Sequence, residues 1–123
     1  MPPTLNEQTS IYLQIAKMLE DGILRGIYPE DTQVPSTNEL ARTLCINPAT
    51  AAKGLNLLTE DGILYKRRGI GMFVAPRAAE KIRAKRKQTF FEQYVRHLAA
   101  EAKNIGITPA ELQAMLAQAS EKE

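Results

Sequence analysis

Residues that build covalent, metal or redox sites are scarce in this 123-residue sequence. It contains one cysteine, Cys45, and one histidine, His97, and it has no tryptophan. A single cysteine excludes an intrachain disulfide, and one cysteine with one histidine leaves a Cys/His zinc site short of ligands. A glycine-rich phosphate loop and a carboxylate pair beside an evident pocket are missing as well. We therefore expect a protein that is not an enzyme and that needs neither a metal nor a cofactor.

Long apolar runs are also missing. The N-terminus has no basic stretch followed by an apolar core, and no run approaches the roughly 18 apolar residues that signal a membrane-spanning helix. We therefore expect no export and no membrane partner, and the expected location is cytoplasmic. The length suffices for one modest domain and an appendage.

The chain also lacks a strong excess of charge of one sign, since its net charge is only +2. Residues 1–75 carry seven Lys and Arg against eight Asp and Glu, and residues 76–123 carry nine against six. Nucleic-acid binding would therefore have to depend on where the cations lie. Modest charge predicts weak non-specific affinity for DNA and reliance on a specific site.

Ser36 and Glu39 mark the start of a helix. Their spacing is that of a capping box, in which each side chain bonds the backbone amide of the other residue. We expect a helix from Ser36 that buries three apolar residues at helical spacing, namely Leu40, Ala41 and Leu44.

A second helix start follows almost at once. Asn47 is a good N-cap and Pro48 suits the first helical position, so a helix is predicted over residues 48–60, ending at an Asp-Gly pair. Only residues 45 and 46 remain for the turn, and helices joined so tightly cross steeply, as in DNA-binding helix-turn-helices. Within that turn we expect the Cys45 thiol to be small, buried and inert.

A basic hairpin is predicted directly after this pair of helices. Residues 63–74 read as strand, turn and strand, with Gly69 and Gly71 at the tip. Lys66, Arg67 and Arg68 lie beside the tip. Such hairpins are often ordinary surface turns, but one that follows a helix-turn-helix favours contact with DNA phosphates or the minor groove.

Ahead of the helix-turn-helix, Ser10 can cap a first helix that ends near Gly26. Its apolar face is interpreted as core and carries Tyr12, Ile15, Ala16, Leu19 and Ile23. Residues 32–34 could add a short strand to the wing sheet, and residues 1–9 are expected to form a poorly ordered arm.

The last part of the chain predicts two amphipathic helices. One runs from about Arg77 to Asn104, and a second capping box at Thr108 and Glu111 opens the other. Two such helices cannot enclose a core, so we favour a second copy of the chain as their partner over packing back on the same chain. The predicted dimerisation residues are Ile82, Phe90, Phe91, Tyr94, Leu98, Leu112, Met115 and Leu116. The basic run at residues 81–87 is interpreted as a solvated helix face rather than a phosphate contact.

These elements predict a mainly α fold with a small β-hairpin wing, an α+β arrangement. Its winged helix-turn-helix would occupy residues 1–75 and its helical dimerisation tail residues 76–123. In the predicted DNA complex the second helix of the pair lies in the major groove, the start of the first helix lies on the backbone, and the wing lies at the neighbouring groove. The predicted DNA-binding residues are Ser36, Thr37, Asn38, Asn47, Thr50, Lys53, Asn56, Lys66, Arg67, Arg68 and Gly69.

From about Ile11 to Ala75 the chain resembles the DNA-binding domain of the GntR family of bacterial transcription regulators. The similar stretches are IYLQIA, GILRGIYPEDTQVPSTNELA and LTEDGILYKRRGIGMFV, in that order. The INPATAAKG segment and the short remaining chain are most similar to the small YtrA-like branch, whose members dimerise through a short helical tail. Two positions depart from the family pattern, because Asn38 and Ala52 stand where many members have arginine.

The resemblance and the residues together predict a sequence-specific, DNA-binding transcription regulator. We expect a homodimeric repressor that binds an inverted-repeat operator in double-stranded DNA. The alternative is a winged-helix module for protein–protein interaction, which the polar residues of the predicted recognition helix disfavour. A small-molecule effector is left open, since no pocket for one is evident in the sequence.

Overall fold

A computed structural model describes residues 10–121, so the arm expected over residues 1–9 lies outside the described residues. The chain divides into two compact units, Met1–Ala84 and Lys85–Glu123. Each unit is described by itself.

The first unit is a winged helix, as the sequence predicts. Its elements are α1 (Ile11–Leu24), α2 (Thr37–Leu44), α3 (Pro48–Glu60), β1 (Leu64–Arg67), β2 (Gly71–Val74) and the first turns of α4 (Ala78–Phe90). The strands pair antiparallel, with Leu64 opposite Val74 and Arg67 opposite Gly71. Residues 68–70 therefore form the wing tip.

Local capping signals set the helix starts of the helix-turn-helix. The Ser36 Oγ accepts a hydrogen bond from the Glu39 amide at 3.1 Å, and the Ser36 amide donates to Glu39 Oε1 at 3.1 Å. Asn47 Oδ1 accepts from the Ala49 amide at 2.8 Å, with Pro48 in the first helical position. The predicted starts of α2 and α3 are confirmed, and the turn between them is as short as expected.

The Cys45 thiol is exposed, so the expectation that it is buried is wrong. Cys45 ends α2 in the left-handed conformation, with φ of 56°, while its amide still donates to the Ala41 carbonyl. Its Sγ reaches the Arg42 carbonyl oxygen at 3.9 Å. A residue that reverses the chain between two helices turns its side chain outward, which hydrophobicity alone does not predict.

The core of the first unit joins α1, α3, the hairpin and the start of α4. Its fully buried side chains include Ile15, Leu58, Ile63 and Ile82. Because α4 contributes to this core, the first unit extends to Ala84, whereas the predicted domain boundary falls after residue 75. Ile82 was predicted as a dimerisation residue, but it has no exposed surface to offer a partner.

Residues 32–34 form a third segment beside the two strands of the wing. Gln33 forms an isolated antiparallel bridge with Phe73, and the Val74 amide donates to the Thr32 carbonyl at 3.0 Å. The strand expected over residues 32–34 is therefore present as a single bridge along β2. It ties the base of the wing to the loop that follows α1.

The second unit consists of helical segments joined by a short turn. It contains the rest of α4, a π-helical turn (Phe91–Val95), α5 (Arg96–Asn104) and α6 (Pro109–Glu121). The sequence predicts one uninterrupted helix to Asn104, whereas the π-helical turn inserts a local change of hydrogen-bond register. Gly106, with φ of 80°, ends α5 as expected. The predicted Thr108–Glu111 capping box is confirmed, with bonds of 3.0 and 3.2 Å.

The second unit leaves most of its apolar side chains in solvent. Within its described residues only Ala102 is buried, at 5% exposure. Large exposed residues are Phe90, Phe91, Tyr94, Leu98, Ile105, Met115 and Leu116. Among residues 10–121, no helix has both the length and the apolar character to cross a membrane.

Candidate nucleic-acid interface

Helix α3 has a buried face and an exposed face. Ala51, Gly54, Leu55 and Leu58 pack inward, whereas its exposed residues are Pro48, Ala49, Lys53, Asn56 and Glu60. Two predicted base-contacting residues, Lys53 and Asn56, therefore lie on the exposed face, and Thr50 is half-buried at its edge. The arrangement provides a cation and an amide that could reach base edges.

Lys53 is not a freely extended side chain. Its Nζ lies 4.1 Å from the centroid of the Tyr12 ring, close enough for a cation–π interaction. Tyr12 comes from α1 and was assigned to the core by the helical pattern alone. The structure places its ring beside Lys53 of α3, a contact that spacing along α1 does not reveal.

A shallow groove of about 530 Å³ runs along this part of α3. Ala52, half-buried, lines it together with Tyr12 and Lys53. Ala52 contributes only a methyl group to this groove. Lys53 is the one basic residue in α3, and the side-chain amide of Asn56 lies one helical turn further along.

Other predicted DNA-binding residues lie at the two helix starts. Ser36 and Asn47 already use one side-chain oxygen as a helix cap, which leaves the Asn47 amide nitrogen able to donate. Thr37 and Asn38 occupy the first turn of α2, where free amides and the helix dipole favour an anion such as phosphate. The hydrogen bonds from Ser36 also hold the pKa of the Glu39 carboxyl below its ordinary value.

The wing cations differ in how they are held. The Arg67 guanidinium lies 4.4 Å from the centroid of the Phe73 ring and donates through Nη2 to the Tyr65 hydroxyl at 3.2 Å. Lys66 and Arg68 are exposed, and among residues 10–121 neither has such a partner. Gly69, with φ of 77°, lies at the tip, where a left-handed residue is needed.

The tip itself is fixed by a contact that the sequence did not indicate. Gln33 Nε2 donates to the Ile70 carbonyl at 3.0 Å. Ile70 is 62% exposed between the two wing glycines. Neither Gln33 nor Ile70 is among the residues that the sequence predicts to contact DNA, although a large apolar residue between two glycines is a recognisable signal.

One lysine in the basic run at residues 81–87 makes a hydrogen bond to another element of the first unit. Lys81 Nζ donates to the Gly62 carbonyl at 2.9 Å, just after the end of α3. A cation there is favourable to the helix dipole of α3. Lys81 is thus held by the winged helix, whereas Arg83 and Lys87 are exposed.

Metal-site geometry is a separate question. Across residues 10–121, His, Cys, Asp and Glu side chains do not gather in groups of three or more that could hold a metal ion. The first unit instead presents exposed polar and cationic side chains on α3 and on the wing.

Comparison with known proteins agrees with this geometry. The gntR family of bacterial regulatory proteins matches residues 11–74. The HTH-type transcriptional repressor YtrA of Bacillus subtilis (strain 168) is 29% identical over 99 residues, which cover 80% of this chain and 75% of YtrA. Several other curated relatives are longer, and the chain spans only about a quarter of their length.

Solved structures give the same picture. The crystal structure of a GntR-family regulator from Bacteroides thetaiotaomicron has a TM-score of 0.72 and 33% identity, covering 91% of this chain and 97% of that one. The structure of AraR(DBD) in complex with operator ORX1 has a TM-score of 0.52 and 29% identity, covering 61% of this chain and 92% of that one. The first of these likenesses spans both units, and the second covers about the length of the winged helix.

Proposed function

Because the chain belongs to the GntR family of bacterial regulatory proteins, whose members regulate transcription through a helix-turn-helix domain, we propose that it is a dimeric repressor of the YtrA-like type. It binds an inverted-repeat operator in double-stranded DNA through α3 and the wing. Residues 1–75 supply the DNA contacts and residues 76–123 the dimerisation surface. It acts in the cytoplasm, where the bacterial chromosome lies.

The exposed face of α3 carries this proposal. Lys53 and Asn56 lie on it, while the opposite face is packed against the rest of the first unit. A helix held in this way can enter the major groove without disturbing the core. The likeness to AraR(DBD), which was solved with operator DNA, supports the same use of the fold.

Three surfaces share the DNA contacts in this arrangement. Lys53, Asn56, Thr50 and Asn47 reach base edges or flanking phosphates, and Thr37 and Asn38 lie on the backbone together with Ser36. Lys66, Arg67, Arg68 and Gly69 meet the neighbouring groove. Base contacts set the sequence preference, and the wing contributes affinity that depends on salt.

The second unit supports a dimer. Its described residues bury one alanine, while aromatic and aliphatic side chains on the α4–α5 stretch and on α6 remain about half exposed. Helices with so little buried surface gain too little from packing to stay folded alone. A second copy supplies the missing partner, with Phe90, Phe91, Tyr94, Leu98, Leu112, Met115 and Leu116 in the interface. Ile82 is left out, because its own chain already buries it.

Symmetry then sets the form of the operator. A two-fold dimer presents two recognition helices related by that axis, so the half-sites form an inverted repeat about 10–10.5 base pairs apart, or a multiple of that spacing. Occupying such a site over a promoter excludes polymerase. YtrA of B. subtilis is named as a repressor, which favours the same outcome here.

Selection from randomised duplex DNA tests the proposal. The wild-type protein should enrich an inverted repeat, and Lys53→Ala in the same selection serves as the matched control with one base-reading side chain removed. The control should enrich a more degenerate repeat. If no duplex sequence is enriched and binding is equal for all DNA, the protein-interaction module becomes the better interpretation.

A further inference from the structure

Arg67 of the wing is held by a series of side-chain contacts that begins at Asp31, outside the wing. Tyr65 donates its hydroxyl proton to Asp31 Oδ1 at 2.8 Å, and the same hydroxyl oxygen accepts from Arg67 Nη2 at 3.2 Å. The Tyr65 and Phe73 rings stack with centroids 5.9 Å apart. The Arg67 guanidinium lies 4.4 Å from the Phe73 centroid and 5.7 Å from that of Tyr65. Arg67 is therefore restrained by a hydrogen bond and an aromatic surface together.

Asp31 is itself fixed by its backbone. Its amide donates to the Val74 carbonyl at 2.8 Å, and its φ of 63° lies in the left-handed region. Aspartate tolerates that conformation better than most residues. The carboxylate is thus anchored to β2 by main-chain bonds, and it orients the Tyr65 hydroxyl, which in turn has its acceptor lone pairs directed towards Arg67.

We propose that Tyr65 and Asp31 are positioning residues that hold the Arg67 guanidinium in the orientation in which it binds a DNA phosphate. This inference rests on the proposed function, because it assumes that the wing contacts DNA. One of the five guanidinium N–H groups bonds to Tyr65, so the others remain able to donate to phosphate. An arginine that is ordered before binding loses less side-chain entropy when the complex forms.

The arrangement distinguishes Arg67 from its neighbour. Arg68 lies in the wing tip, exposed and without a stacked ring among the described residues. If both arginines bind phosphate, only the contribution of Arg67 should depend on Tyr65. Arg68 is therefore the matched control for any experiment on this pair.

A double-mutant cycle on the full chain tests the proposal, using the operator recovered by selection. Tyr65→Phe keeps the ring and the net charge but removes the hydroxyl, so the stacking on Phe73 is retained. Losing one charge-assisted hydrogen bond that orders Arg67 should weaken operator binding by roughly three- to tenfold. The same substitution in an Arg67→Ala background should cause no further loss. In an Arg68→Ala background it should cause the full loss again.

Each other outcome contradicts the proposal in a distinct way. Equal losses from Tyr65→Phe with and without Arg67 would mean that Tyr65 supports the wing fold in general. Tighter binding by Tyr65→Phe would mean that the hydroxyl withholds Arg67 from DNA. Wild-type affinity in Arg67→Ala would remove Arg67 from the interface while leaving operator binding intact. A preceding selection in which the wild-type protein enriches no operator would count against the proposed function itself. Thermal unfolding of each variant verifies that the fold is unchanged.

Discussion

Leu98→Glu is the substitution that most directly tests the proposed dimer. Leu98 lies on α5 and is 42% exposed in the single chain. Fully burying a leucine contributes about 1.5–3 kcal/mol, so the remaining exposed part would contribute roughly 1 kcal/mol for each protomer. Replacing both copies therefore costs about 2 kcal/mol before any charge is considered.

The introduced carboxylate adds to this loss. A glutamate in an apolar interface loses hydration without gaining a partner, and two-fold symmetry places a like charge nearby. If this adds about 2 kcal/mol more, the dimer dissociation constant should rise by two to three orders of magnitude, since about 1.4 kcal/mol is a factor of ten. The winged helix has its own core and should remain folded.

Two measurements and one control decide the outcome. Sedimentation equilibrium gives the monomer–dimer constant, and gel shifts give the affinity for the full operator, which should fall steeply because a monomer reaches one half-site. Ala100→Glu adds the same charge to α5 at an exposed position about 160° around the helix from Leu98, and should leave the dimer intact. A folded Leu98→Glu monomer that still binds the operator at wild-type affinity would refute the reasoning.

Three further substitutions test the first unit. Tyr12→Leu should weaken operator binding about two- to fivefold because Lys53 loses the ring beneath it, whereas Tyr12→Phe keeps the ring and should bind as the wild type in the same titration. Gly54→Ala would place a methyl 3.0 Å from the Tyr12 carbonyl oxygen, so urea unfolding should reveal an overpacking cost of about 1–3 kcal/mol that outweighs a helix-propensity gain of about 1 kcal/mol; a more stable variant would contradict the close approach of α1 and α3. Hydrogen bonds from Ser36 lower the Glu39 pKa below 4.5, so ionised Glu39 stabilises the fold above that pH and the effect is lost as the pH falls through the folded pKa. Glu39→Gln keeps the capping box without titrating, so the stability advantage of the wild type should shrink on acidification, and a difference independent of pH would be evidence against this coupling.

Much of the first unit could be predicted from sequence because its signals are local. A capping box, a proline at the first helical position and paired wing glycines each act within a few residues, so the starts of α2 and α3 and the hairpin follow directly. Ser36, Asn47 and Gly69 behave as those rules expect. The faces of α3 follow from helical periodicity, which places Lys53 and Asn56 outward.

The features that the sequence did not predict depend on packing between distant segments or on local backbone geometry. Ile82 continues the apolar stripe of a long predicted helix, yet the winged helix buries it because α4 begins against the core. The π-helical turn changes the register of the tail without any proline or glycine to announce it. Cys45 is exposed because of the backbone conformation at the end of α2. None of these outcomes is encoded in a short motif.

The two aromatic contacts give a physical reason why a protein with so little net charge could still bind DNA specifically. Both Lys53 and Arg67 lie over aromatic rings, of Tyr12 and Phe73, rather than moving freely in solvent. A long cationic side chain loses on the order of 1.5–2 kcal/mol of rotamer entropy when it is immobilised. Because part of that loss has already occurred in the free protein, each contact with the correct DNA retains more of its interaction energy. Few cations also mean weak attraction to arbitrary DNA. Specificity under the proposed function would then come from the placement of a small number of charges.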